Sequence, residues 1–290
     1  MAVRSNRVAP YLFLLPNLLI FAVFIILPAG YNFYLSAFST SAFRPPLFVG
    51  LGNYVELIGR DDLFWRSLGN TAKFVLGDVS ALVALSVLAG LLLNQRIALR
   101  GVFRSAFFYP VLLSPVVVAL VWQWILNNQF GVLNALLRLV GLTGKPWLLR
   151  ADWSMAWAIG VHVWASVGFY TLIVLAGLQS IPAELYEAAR VDGAGGWPCL
   201  RRITLPMLAP TVRAVAILAT VRAFEIFDHI YVLTGGGPGT ATLMMVQYIY
   251  RAAFQLDQFG LASAASVLLF ALIFILTLLQ YAAGRRADAV

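Results

Sequence analysis

An all-α integral membrane protein with six transmembrane helices is the architecture this sequence predicts, and three observations carry that reading. The chain is 61% hydrophobic, with a mean hydropathy of +0.87. Only 11% of its residues are charged, against about 25% in a soluble domain. Its apolar residues fall in long unbroken runs, where a membrane β-barrel would show short alternating segments. With so little polar surface for 290 residues, lipid must be the main solvent. In lipid every backbone group has to be satisfied within the chain, and long apolar runs do this as helices.

Six runs follow in order: Tyr11–Phe38, Thr71–Asn94, Ala106–Leu126, Trp153–Leu178, Met207–Leu233 and Gly260–Ala283. Each is long enough to cross a ~30 Å hydrocarbon core with some tilt. The first has a basic flank, Arg4 and Arg7, but is longer than a signal-peptide core and lacks a small-x-small cleavage site. It reads as a retained helix. "FVGLGNYVELIGRDDLFW" (Phe48–Trp65) and "NNQFGVLNALLRLVGLTGKPWLL" (Asn127–Leu149) predict short amphipathic helices at the membrane surface. Their aromatics read first as interfacial anchors. "LTGGGPGTAT" (Leu233–Thr242) predicts a turn. With no linker or repeat, residues 1–290 are expected to form a single transmembrane domain.

Orientation rests on Lys and Arg in short loops. With both termini cytoplasmic, ten fall inside: Arg4, Arg7, Arg96, Arg100, Arg104, Arg190, Arg201, Arg202, Arg285 and Arg286. Eight fall outside: Arg44, Arg60, Arg66, Lys73, Arg138, Lys145, Arg150 and Arg251. The net charge of +8 is then a mark of topology. Its scatter over several loops argues against nucleic acid as a partner. Cys199 is the only cysteine, so no internal disulfide forms.

Polar residues inside spans carry more information, because a charge near the bilayer centre costs about 3 kcal/mol. The fifth run holds Arg222, Glu225 and Asp228 in "VRAFEIFDHIY". Read as one helix, the spacing i, i+3, i+6 puts them on one face. Facing lipid they would cost on the order of 9 kcal/mol, so they should face the bundle interior. They serve either as an Arg222–Glu225 pair holding helices together or as part of a polar passage with Phe224, Phe227 and Tyr231. His162 and Gln123 are expected to make interhelical hydrogen bonds. No phosphate loop, HExxH, GxSxG or CxxC pattern is present, so the chain is read as part of a transporter or channel, not as an enzyme, and no cofactor or metal is expected.

One charged, glycine-broken stretch interrupts this apolar chain: "ELYEAARVDGAGGWPCLRRITLPML", Glu184–Leu208. Pro182 suits a helix start, and Glu184 and Glu187 in the early turns complement the dipole. Gly193–Gly196 should break that helix, and a second short one should run from Trp197 to Ile203 and end at Pro206. Ala188 and Ala189 form a smooth face that a partner protein's groove could approach, with Glu187, Arg201 and Arg202 at its rim. A hairpin resting on lipid is the alternative.

The same residues resemble a known family. "EAARVDG" and, after nine intervening residues, "ITLP" match the EAA signature of binding-protein-dependent ABC importer permeases at Glu187, Ala188, Ala189, Gly193, Ile203, Leu205 and Pro206. "IPAELYEAARVDGA", "FDHIYVLTGGGPGTAT", "FVGLGNY" and "YLFLLPNLLIFAVFIILPAGYNFYLS" resemble the MalF-type carbohydrate-uptake branch, and together they span nearly the whole chain. The resemblance implies a type I importer permease fold in a bacterial inner membrane, working by alternating access. It implies four kinds of partner: a second permease subunit, two ATPase subunits that bind the ATP, an extracytoplasmic solute-binding protein, and membrane lipid. Residues 182–206 would be cytoplasmic coupling helices seated in the ATPase groove. The expected substrate pathway is Trp164 and Tyr170 of the fourth run with Phe224, Glu225 and Asp228 of the fifth, because aromatic faces suit sugar rings and carboxylates accept from hydroxyls. A glycerophosphodiester or amino sugar remains an alternative solute. A proton-coupled transporter, with Arg222, Glu225 and Asp228 as relay, is an alternative mechanism.

Overall fold

The computed structural model describes residues 9–41, 44–95 and 100–288. Of the cytoplasmic charges in the topology above, Arg4, Arg7 and Arg96 lie outside the described residues, as do the side chains of Arg100, Arg285 and Arg286; so does that of Arg44 among the outer ones. Among the described residues, five helices are long and apolar enough to cross a membrane, and a bent pair makes up to six. Two compact units can be distinguished, one from residues 1–61 and 249–271, the other from 62–248 and 272–290.

The first unit opens with α1 (Ala9–Phe21), which runs through a π turn (Ala22–Ile26) into α2 (Leu27–Leu35). Leu27 donates its N–H to Ala22 O, five residues back, just before Pro28. Proline offers no N–H and crowds the carbonyl four residues earlier; the wider turn carries the helix past it. A hairpin of β1 (Phe38–Ser41) and β2 (Arg44–Phe48) follows, antiparallel, with a bulge between Ser39 and Ser41. It was not expected, since Pro45 and Pro46 argue against a strand; an edge position tolerates them. The amphipathic helix expected in Phe48–Trp65 is α3 (Gly52–Gly59). Asn53 Nδ2 donates to Ser36 O at 2.8 Å and Phe38 O at 2.9 Å, tying α3 to the hairpin.

The second unit is built on α4 (Asp62–Asn94), which starts nine residues before the expected Thr71, and on the long α8 (Ala151–Gln179). Between them lie α5 (Arg100–Phe108), α6 (Pro115–Ile125) and α7 (Val132–Leu139). The third run is not one straight span. Its two legs, Gly101–Leu112 and Pro115–Ile125, meet at 100°. Leu113 (ψ 144°) and Ser114 (ψ 135°) are extended at the bend. Pro115 disfavours the helical conformation at the residue before it, so the chain turns there.

After α8 come α9 (Ala183–Val191), α10 (Gly196–Cys199), a π turn (Leu200–Thr204) and α11 (Leu205–Phe224). Pro206 does not end a short helix as expected, for Gly196–Phe224 forms one 29-residue span. Leu205 donates to Leu200 O, so the wide turn again precedes a proline. The fifth run also differs from expectation, because α11 stops at Phe224 and α12 (Asp228–Leu233) starts afresh. Phe227 sits at φ −136°, ψ −62°, and Asp228 occupies the first turn of α12, where a carboxylate complements the dipole. The chain closes with α13 (Met245–Tyr250), a π turn (Arg251–Gln255) and α14 (Phe259–Asp288).

The core of the second unit joins Leu82 of α4, Val163, Tyr170, Val174 and Leu178 of α8, and Leu208, Val215 and Ala219 of α11. α5 and α8 meet so closely that a Cβ at Gly168 would overlap the Phe107 carbonyl oxygen. Gly168→Ala should therefore lower stability by about 1–3 kcal/mol. Gly160→Ala on the same helix, where an added Cβ meets nothing within 4 Å, should not. Thermal unfolding of the two variants in detergent compares them.

Candidate functional site

The charged stretch 182–206 forms two joined pieces. Pro182 is the N-cap of α9, one residue outside the helix, with ψ 131°. Asp192 is the C-cap. Beyond it Gly193 donates to Arg190 O (3.1 Å) and Ala194 to Ala189 O (2.8 Å). These two bonds make a Schellman ending, which needs a left-handed residue at the first position past the cap. Gly193 supplies it with φ +74°. A Cβ there would meet nothing within 4 Å; the requirement for glycine within this chain is the backbone angle, not crowding.

Glu187 and Ala188 are exposed on α9, and Ala189 is partly so. Ile203 lies in the π turn, and Leu205 and Pro206 open α11. Tyr186 packs against the core of the unit, and its hydroxyl lies 3.0 Å from Thr204 Oγ1. That contact brings α9 onto the 29-residue helix just before α11. In the same segment Val191 is 88% exposed and Trp197 71%.

The five expected pathway residues are dispersed. Tyr170 and Phe224 are buried, whereas Trp164, Glu225 and Asp228 are exposed. No ring contact or hydrogen bond joins any two of them among the described residues. Because α11 breaks after Phe224, Arg222, Glu225 and Asp228 do not share one helical face, and no ion pair links Arg222 to Glu225 among the described residues.

A different polar group sits inside the bundle. Asp78 of α4 is fully buried, and His162 Nδ1 of α8 donates to its Oδ1 at 2.6 Å. With Nδ1 carrying the proton, Nε2 accepts from the Ser166 hydroxyl at 3.3 Å. His229 of α12 meets His162 edge-on, with centroids 5.4 Å apart. Gln123 of α6 donates to Val232 O of α12 at 3.2 Å. The interhelical bonds expected for His162 and Gln123 are thus present. Asp78 escaped the sequence reading, although a lone carboxylate in the middle of "AKFVLGDVSALVAL" is a cost that demands a partner. His162, Ser166 and Tyr170, four residues apart on α8, mark the face that could hold it.

Comparison with known proteins names the architecture. Residues 83–289 match the family model described as binding-protein-dependent transport system inner membrane component. The chain belongs to this family. The permease is 37% identical over 276 residues to the trehalose/maltose transport system permease protein MalF of Thermococcus litoralis, covering 95% of this chain and 93% of that one. It is 33% identical over 270 residues to the sulfoquinovosyl glycerol transport system permease protein SmoG of Agrobacterium fabrum, covering 92% and 87%. Among solved structures, a bacterial ABC transporter that imports the acidic polysaccharide alginate matches with TM-score 0.84 and 28% identity, over 96% of this chain and 95% of that one. A second structure of the alginate transporter is in complex with its periplasmic protein (TM-score 0.84, 26% identity, 96% and 94%). The permease thus has the type I ABC importer permease fold and is a multi-pass inner-membrane component of a system that works with a solute-binding protein.

Asp78→Ala should leave the His162 Nδ1–H without its acceptor and cost about 1–3 kcal/mol, as removing one partner of a buried hydrogen bond does. Asp78→Leu combined with His162→Phe should recover much of that loss. Thermal unfolding of the single and double variants in detergent measures both.

Proposed function

We propose that this permease is half of the translocation pathway of an ATP-driven carbohydrate importer. The observation that carries the reading is α9. It presents the EAA face outward, is followed by a left-handed Gly193, and leans through Tyr186 on Thr204, in the π turn of a membrane-length helix. The sugar-transporting relatives support the substrate class. The partners are a second permease, two ATPase subunits that bind and hydrolyse the ATP, and an extracytoplasmic solute-binding protein. Both termini and residues 182–206 face the cytoplasm.

In this mechanism the ATPase groove holds Glu187, Ala188 and Ala189. Ile203, Leu205 and Pro206 form the seam through which α9 moves the following helix. Closure of the ATPase pair shifts α9 as a rigid body, and the motion enters α11, whose far end is the break at 225–227. Trp164, Tyr170, Phe224, Glu225 and Asp228 belong to the solute's route. Since Tyr170 and Phe224 are buried in this conformation, they take part only when the helices around them move.

Glu187→Lys inverts a rim charge on α9. Gly193→Asp adds a charge and forces a non-glycine residue to φ +74°, costing about 1–2 kcal/mol locally. Both proteins should insert normally and lose ATP-driven uptake by tenfold or more in proteoliposomes. Their ATPase subunits should copurify poorly or hydrolyse ATP without response to the solute-binding protein. Wild-type coupling in both would show that 182–206 is a passive hairpin on the membrane surface.

Glu225→Gln and Asp228→Asn should each change uptake rate or solute preference in an assembled complex. If both leave uptake as in wild type, these carboxylates lie off the route.

A further inference from the structure

At the opposite end of α8 from the coupling segment lies a cavity of about 430 Å³, within the ~300–1,000 Å³ range of small-molecule sites. α8 is 29 residues, so the two features are separated by about 43 Å of helix. Gln123, Asn127, Asn128, Gln129, Trp147 and Thr234 supply its polar and aromatic lining, and no lining residue is charged.

The wall is held in shape from behind. Asn134 is fully buried; its Oδ1 accepts from Lys145 N and Trp147 Nε1, both at 2.8 Å, and its Nδ2 donates to Asn128 O at 3.1 Å and Lys145 O at 3.0 Å. Asn127 Oδ1 accepts from Gln129 N and Phe130 N, and Gln123 Nε2 is committed to Val232 O. What remains is a mixture. The Gln123 side-chain oxygen can accept, the Asn127 amide nitrogen can donate, and the whole amides of Asn128 and Gln129 can do both. Among the described residues, neither Asn128 nor Gln129 uses its side chain in a hydrogen bond within the chain. Neutral donors and acceptors in equal supply match hydroxyl groups, which also do both. They offer no counter-charge to a carboxylate, sulfonate or ammonium. Of the neighbouring cations, Arg150 is paired with Asp152 at 3.3 Å, and Arg138, which keeps its charge while donating to Gln129 O at 2.8 Å, lies outside the lining.

Below the cavity runs an aromatic track. Trp147 stacks on Trp153 (centroids 5.1 Å apart) and meets Trp157 at 5.5 Å; Trp157 lies 6.1 Å from Trp122, and Trp122 lies 5.5 Å from Trp164. Trp153, Trp157 and Trp164 share one face of α8, and all five rings are partly exposed or exposed. An interfacial anchor would stay at the helix end. Trp164 is about 20 Å from the first residue of α8, too deep for that role.

We propose that the cavity walled by Asn127, Asn128, Gln129 and Trp147 is an entry subsite for neutral saccharides, which then pass along the tryptophan track towards Trp164. The inference rests on the importer reading above and adds a place and a charge class for the solute. The test uses the complete transporter in proteoliposomes, with its second permease, ATPases and binding protein. Probes are a neutral disaccharide such as trehalose, a uronate oligosaccharide and glucosamine. The wild type should take up the neutral sugar in preference to both charged ones. Asn128→Ala with Gln129→Ala should lower the solute carried per ATP hydrolysed about tenfold, the size of losing two neutral hydrogen bonds. A trehalose carrying a diazirine should cross-link to residues 127–129 or 147–149.

Unchanged solute per ATP, or cross-links elsewhere, overturns the subsite while leaving the importer reading intact. If uptake and stimulated hydrolysis fall in parallel, so that the ratio holds, the cavity is a docking face for the binding protein and the subsite is wrong. Preference for a charged solute overturns the neutral assignment. Failure of the wild type to carry any carbohydrate removes the importer reading on which the inference stands.

Discussion

One buried contact sets the terms for the second unit: Asp78 on α4 against His162 on α8, 2.6 Å apart. A carboxylate inside a membrane helix has no water to fall back on, so its partner must be on a neighbouring helix. That requirement fixes which face of each long helix turns inward. Once Asp78 and His162 meet, Leu82 of α4 and Tyr170, Val174 and Leu178 of α8 come into one core with α11. The edge of His162 then meets His229, bringing α12 to the same place. In lipid the hydrophobic effect does little to select one apolar face over another, and polar contacts and close packing make the selection.

Prolines act in two ways in this chain. Pro28 and Pro206 each follow a π turn that keeps a helix continuous. Pro115 follows an extended pair of residues and bends the chain by 100°. The difference lies in the residue before the proline. Where it stays helical and donates one position further back, the helix widens and goes on. Where it becomes extended, the helix ends. For the proposed mechanism this matters, because α9 meets a continuous 29-residue helix at Thr204, and that helix carries motion on to Phe224.

Much of this was legible in the residues. The apolar runs announced the spans, and Gly193 announced the end of α9, since a glycine after "EAARVD" is a ready helix terminator. His162 and Gln123, polar groups in apolar runs, announced hydrogen bonds across helices. The break after Phe224 was not legible: "AFEIFDHI" contains no glycine or proline, and only the placing of Asp228 in a new first turn reveals it. Nor was the hairpin before α3, where two prolines hid an edge strand.

The sequence by itself determined the solvent of this protein, its helical class and its family signature. Each of these follows from composition or from residues close together in the chain: apolar length, a local signature, a glycine where the backbone turns left-handed. Tertiary structure alone decided that Asp78 finds His162, 84 residues away, and that the indoles of Trp122, Trp147 and Trp164 line up beneath a neutral, amide-lined cavity. Such pairings depend on which helix faces pack together. Many rotations of an apolar helix bury similar area in lipid, so the choice falls to a few polar and close-packed contacts between distant residues, and no local pattern encodes them.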